Sequence, residues 1–214
     1  MLEVFKELEV TGASTALDSF IDRVSHALPR GWKRSHVHEK SLQATAGRRL
    51  FAFHSEARVG WPAVNLFLAR DPGGFKVTNI VPEESTRLTR SQYNAVLNEF
   101  VDQVVQPAAE RLGLAISLSD EQVSITRWLS EDAAQRLLRF SENANKGTGS
   151  AHPLDFKRWA AFLIQAHRDK SRLDAETLLR WLVEEEHWPE DTADRLAIEF
   201  EFARDLLAAY DAER

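Results

Sequence analysis

Leu2, Val4, Leu8 and Val10 recur at even spacing with Glu3, Glu7 and Glu9 between them. A period of two lays one face of a strand on a core, so a first strand is predicted over residues 2–10. After Thr11-Gly12 the period changes. Leu17, Phe20, Ile21, Val24 and Leu28 follow the three-and-four spacing of an amphipathic helix, with Ser14 as its N-cap and Pro29 to Gly31 as its stop. Strands are predicted at about 32–40, 48–56 and 63–70. The turn Asp71-Pro72-Gly73-Gly74 returns Phe75 to Val81 as a hairpin partner. From Thr89, Tyr93, Val96, Leu97, Phe100, Val104, Val105, Ala108 and Leu112 sustain a long helix up to Gly113, with a kink or break predicted at Pro107. Leu114 to Leu118 reads as a closing strand.

Beyond Ser119 the strand signal disappears. Ser119 with Gln122, and Ser130 followed by Glu131 and Asp132, carry N-cap signatures for two helices. Three more are predicted at about 154–168, 175–187 and 190–210, with Asp174 capping the second of these and Pro189 opening the last. The pattern predicts an α+β fold: an N-terminal antiparallel or mixed sheet with two helices on one face, then an all-helical bundle of about five helices. Residues 1–118 and 119–214 are the two expected domains. No Pro/Gly/Ser-rich spacer separates them, so they are expected to pack as one unit.

Composition narrows the class. With 43% hydrophobic and 28% charged residues in 214, the chain has the profile of a folded globular protein able to bury roughly 70% of its unfolded surface. The absence of cysteine removes disulfides, thiolate ligands and cysteine nucleophiles. MLEVFKELEV lacks the apolar core of a secretory signal, and no run of about 18 apolar residues occurs, so a cytoplasmic protein without a membrane span is expected. Charge is uneven. Residues 1–118 hold 14 Lys+Arg against 13 Asp+Glu, whereas residues 119–214 hold 13 against 20. An acidic half repels phosphate backbones, which makes nucleic acid an unsuitable partner and a basic protein a suitable one.

Three segments could carry chemistry. Ser141 to Asp155 is polar and glycine-punctuated, and such loops can cradle an anion between backbone N–H groups and a helix N-terminus. Lys146, Thr148, Ser150 and His152 would be its donors, with Asp155 and Arg158 on the helix after it. Lys146 precedes its glycines, so this is not a Walker A loop. A helix connection whose Ser, Thr and Asn satisfy their own backbone is the competing reading. His152 with Asp155, or His167 with a carboxylate, could do acid-base work, yet no nucleophile motif accompanies them. The second segment is His36-Val37-His38, whose imidazoles would share a strand face and join His54, with Glu56 as a carboxylate, around a metal. Histidines scattered on a solvated face compete with that reading, and no cofactor is expected.

Six tryptophans complete the set. Trp159 and Trp181 fall on apolar helix faces and are expected in the core. Trp61 and Trp188 stand beside prolines and are expected to be partly exposed. Glu184, Glu185, Glu186, Glu190 and Asp191 surround Trp188, and an aromatic in an acidic collar is a candidate docking patch. A staple role for Trp188 at the helix junction is the alternative.

These features suit two functions. The first is a non-enzymatic interaction module, of the antitoxin or immunity-inhibitor kind, that binds a basic protein. The second is an enzyme or sensor that binds a phosphate-bearing small molecule through 141–155 and the helix after it.

Overall fold

The computed structural model describes residues 1–40, 49–84, 87–148 and 152–213. The chain divides into two compact units, Glu3–Glu121 and Met1–Leu2 with Gln122–Arg214. The fold is mixed α+β, with antiparallel sheets and seven α-helices among the described residues.

The first unit is a six-stranded antiparallel sheet in the order β3-β4-β5-β6-β2-β7. Its strands are β2 (Leu8–Thr11), β3 (Trp32–Arg34), β4 (Leu50–Ser55), β5 (Val64–Asp71), β6 (Gly74–Pro82) and β7 (Ala115–Leu118). One face carries Phe51, Phe53, Val64, Leu66, Leu68, Phe75 and Ile80. They pack against α1 (Ser14–His26) and against α2 (Arg90–Phe100) with α3 (Gln106–Leu112) in a single apolar core. These three helices cover that face of the sheet. α2 starts with a reciprocal capping box between Thr89 and Gln92. α3 ends at Gly113, whose φ of 65° suits glycine.

Pro107 leaves its mark as a widened turn. Val101–Val105 forms a π-helical segment, and the Gln106 N–H reaches back five residues to the Val101 carbonyl. Proline has no N–H to give and its ring crowds the preceding turn, so the backbone takes up one extra residue there and α3 resumes beyond it.

The predicted first strand is two pieces. β1 (Leu2–Glu3) pairs with β8 (Gln122–Val123), and β2 begins only at Leu8. Between them the buried amide of Asn94 takes the backbone, accepting from Lys6 N at 2.9 Å and donating to the Val4 carbonyl at 2.8 Å. The helix expected at Ser119 is absent as well. The Ser119 hydroxyl accepts from Glu7 N, and the next residues form β8 and a 3-10 turn at Ile125–Arg127. α1 begins at Ser14 itself, with Ala13 as an N-cap that makes no side-chain bond.

The second unit holds α4 (Glu131–Asn143), α5 (Pro153–Arg168), α6 (Ala175–Arg180, continued by a π turn at Trp181–Glu185) and α7 (Glu190–Ala212). Ser130 caps α4 and Asp174 caps α6. Their apolar faces enclose Leu137, Phe140, Trp159, Phe162, Leu178, Trp181, Trp188, Leu196 and Phe200. Trp159 packs between Phe140 and Phe162 in tilted contacts, with ring centroids 4.9 and 5.2 Å away. Trp159→Ala is expected to destabilise the protein by about 3–5 kcal/mol through the cavity it leaves. Urea unfolding measures this, and an unchanged midpoint would contradict the packing.

Candidate functional site

The polar segment 141–155 is less of a loop than its composition suggests. Ser141 to Asn143 form the last turn of α4, and Lys146–Thr148 closes a 3-10 turn. Ser150 and the Thr148 side chain lie outside the described residues. His152 is the N-cap of α5, its Nδ1 accepting from Leu154 N at 3.2 Å. Asp155 is buried in the first turn and receives Arg158 at 2.9 Å. Lys146 turns inward, donates to the Glu186 carbonyl and stands 5.7 Å from the Trp188 ring centroid. Both cations that a phosphate reader would use are thus already engaged within the fold.

Those contacts bring two segments of the sequence to one place. Trp188 is 3% exposed, so the expectation of a partly exposed indole is corrected. His187 adopts a left-handed φ of 58°, which turns the chain after the π helix and sends Trp188 into the core, stacked on Phe140 at 5.4 Å. Its Nε1 donates to the Ser141 hydroxyl at 2.7 Å, and that hydroxyl donates to Glu186 Oε2 at 2.7 Å. Ser141, Glu186, Lys146 and Trp188 form a polar clasp between the end of α4 and the turn before α7. Buried polar atoms must find such partners, and these do.

The acidic collar divides accordingly. Glu186 belongs to the clasp. Glu184 pairs with Arg180 at 2.9 Å, and Glu185 accepts from the Met1 amino group. Glu190 and Asp191 are exposed in the first turn of α7, where the helix dipole favours acids. An anchor ringed by free carboxylates is not what this turn presents.

The imidazole cluster is also corrected. β3 ends at Arg34, and residues 36–40 are helical, so His36 and His38 cannot share a strand face. In this helical stretch Glu39 is buried and turned inward, receiving Arg34 at 2.8 Å and Ala52 N at 3.2 Å. His36 lies 3.1 Å from that carboxylate, His38 bonds Ser35 at 2.7 Å, and His54 lies 3.0 Å from Glu83. Among the described residues no three His, Asp or Glu side chains converge on a metal position. His167 finds a carboxylate, Asp211 at 2.8 Å.

Two surfaces went unread in the sequence. On α7, Ile198, Phe202, Leu206 and Tyr210 are 60, 68, 56 and 57% exposed. Each lies four residues from the last, and at about 100° per residue they form one stripe opposite the buried Ala193, Leu196, Ala197 and Phe200. α7 is apolar on both sides, a pattern its sequence carries openly. The other surface is a groove of about 900 Å³ between residues 5–9 and 76–84, floored by Leu8, Ile80, Leu88 and Tyr93.

The clasp and Glu39 generate two expectations. Trp188→Ala should lower stability by about 3–5 kcal/mol, and Ser141→Ala by about 1–3 kcal/mol because it strips partners from an indole and a carboxylate. Thermal melting reads both, and a Trp188→Ala protein that melts like wild type would show the clasp to be dispensable. Burial raises the Glu39 pKa, but hydrogen bonds from Arg34 and Ala52, the Arg34 charge and His36 outweigh it and hold the carboxyl below its ordinary 4.5. A depressed folded pKa contributes stability that is present above the unfolded value and is lost as pH falls through the folded one. The stability gap between wild type and Glu39→Gln should therefore shrink on acidification below 4.5. A gap in denaturant midpoint that stays constant down the acid limb would contradict it.

Compared with known proteins, the chain matches no family model, no curated protein and no solved structure.

Proposed function

We propose that the protein is a non-enzymatic interaction module, of the antitoxin or immunity-inhibitor kind, that binds a basic partner protein through α7. The observation that carries this reading is the exposed apolar stripe Ile198, Phe202, Leu206, Tyr210 on a helix holding seven Asp/Glu against two Arg. Apolar anchors four residues apart on one helix face suit a groove on a partner. A large apolar stripe open to water marks an interaction surface. Charge selects the partner. Asp194, Glu201 and Asp205 run along one flank of the stripe, partly offset by Arg204 at 3.5 Å from the last two. An antiparallel second copy centred on the stripe would bring the flank of Asp194, Glu201 and Asp205 along the same flank of its mate, a like-charge contact that disfavours self-pairing. A groove rimmed by Lys and Arg meets both the stripe and its flank.

The phosphate-ligand alternative at 141–155 draws less support, because Lys146 and Arg158 already have internal partners.

The test is capture of a partner from an extract of the native host with the full chain as bait. A stoichiometric basic protein is expected, released by salt. Phe202→Glu should weaken its binding by about thirtyfold or more, as loss of a hot-spot aromatic does, while circular dichroism stays unchanged. Equal capture by wild type and Phe202→Glu would sink the reading.

A further inference from the structure

The groove in the Glu3–Glu121 unit is a slot in the plane of its sheet. β2 and β6 are laddered only where Glu9, Val10 and Thr11 face Lys76, Phe75 and Gly74. Gly74 permits that approach, since a Cβ on it would stand 2.0 Å from the Val10 carbonyl oxygen. Past Lys76 the strands part. β6 continues along β5 as far as Pro82, whereas residues 4–7 are drawn off by Asn94 and by Ser119, whose N–H bonds the Glu7 carbonyl at 2.9 Å. Built hydrogen bonds thus hold the slot open.

The β6 edge facing the slot has backbone groups to give. Glu83 N–H bonds Ala63 on the β5 side at 2.9 Å, so the alternation of an antiparallel ladder turns the polar groups of Ile80 and Pro82 toward the slot. Among the described residues no strand receives them. The Ile80 N–H is instead held at 2.8 Å by Oδ1 of its own neighbour Asn79, a side-chain carbonyl standing where the carbonyl of a strand would be. Pro82 offers no N–H and so ends the usable edge. The rim is close to balanced in charge: Lys6, Lys76 and Arg87 stand among Glu7, Glu9, Glu83 and Glu84, with Glu9 paired to Lys76 at 2.7 Å and Glu83 3.0 Å from His54.

We infer that this slot receives an extended, uncharged peptide segment of another protein, about four residues long, which adds to β6 as a strand at Ile80 and Pro82. Its alternate side chains rest on Leu8, Leu88 and Tyr93, which calls for apolar residues at every second position. The balanced rim gives a strongly charged segment no advantage, in contrast to α7, and main-chain bonds with alternate pockets supply affinity and selectivity. This inference does not depend on the role proposed for α7.

Panning a phage-displayed library of random heptapeptides against the full chain tests it, with fluorescence anisotropy of the enriched peptide. A consensus of alternating apolar residues is expected, with binding that salt does not change. N-methylation should abolish binding at every second amide and be tolerated at the amides between. Leu88→Glu should weaken the peptide at least about tenfold by charging the floor of the slot. Asn79→Ala, an exposed change, should tighten it about three- to tenfold, because the Ile80 N–H no longer has to exchange partners. Phe202→Glu should leave it unaltered. Failure to enrich any sequence, N-methyl effects without alternation, or weaker binding by Asn79→Ala would each overturn strand addition, and the last reads out even if Leu88→Glu does not fold.

Discussion

Asn94 holds two backbone groups of residues 4–6 with one amide, and because that amide is buried, neither bond can be exchanged for water without loss. The shape of the N-terminal sheet depends on it. The alternating apolar pattern of residues 2–10 would extend a single strand along β6, yet the amide intercepts the chain in the middle of that run. β2 is left four residues long, and the far half of β6 has one neighbour where it could have had two. A polar side chain on a helix beneath the sheet thus decides where a ladder stops, which hydrophobic periodicity cannot do.

The second unit puts polar side chains to a similar use. Ser141 links the Trp188 indole to the Glu186 carboxylate, and Lys146 closes the group from the other side. Charge and hydroxyl groups that would mark a binding loop if they faced water here join the end of one helix to the turn before another. Residue types alone do not separate the two uses, since both require donors and acceptors within reach of one another. Burial separates them.

Legibility in the sequence sorts along the same line. Elements made by repeated apolar spacing were legible: α1, α2 with α3, the hairpin at Asp71 to Gly74, and α4 to α7. Single polar residues acting at a distance were not. Glu39 folds inward on Arg34 within residues 36–40, which are helical, although His36, Val37 and His38 alternate as in a strand. Ser119 accepts from Glu7 across the sheet instead of capping a helix. The α7 stripe was readable in principle. Once Ala193, Leu196, Ala197 and Phe200 are assigned to the core, Ile198, Phe202, Leu206 and Tyr210 remain as a second apolar face that is largely exposed. The slot had no local signal, because it arises from two segments about seventy residues apart in the chain parting company.

The widened turn at Val101–Val105 also sets the rotational phase of α3. A π turn holds one residue more than an α turn, and one residue is about 100° of helix rotation. Phe100 before the turn and Ala108 and Ala109 after it all reach the same core because that surplus is stored there. Pro107 lies just past the turn, where a missing N–H costs the ladder least. In effect the proline and the surplus residue form a matched pair: a chain that dropped the one while keeping the other would turn α3 on its axis and expose the alanines on which the sheet rests.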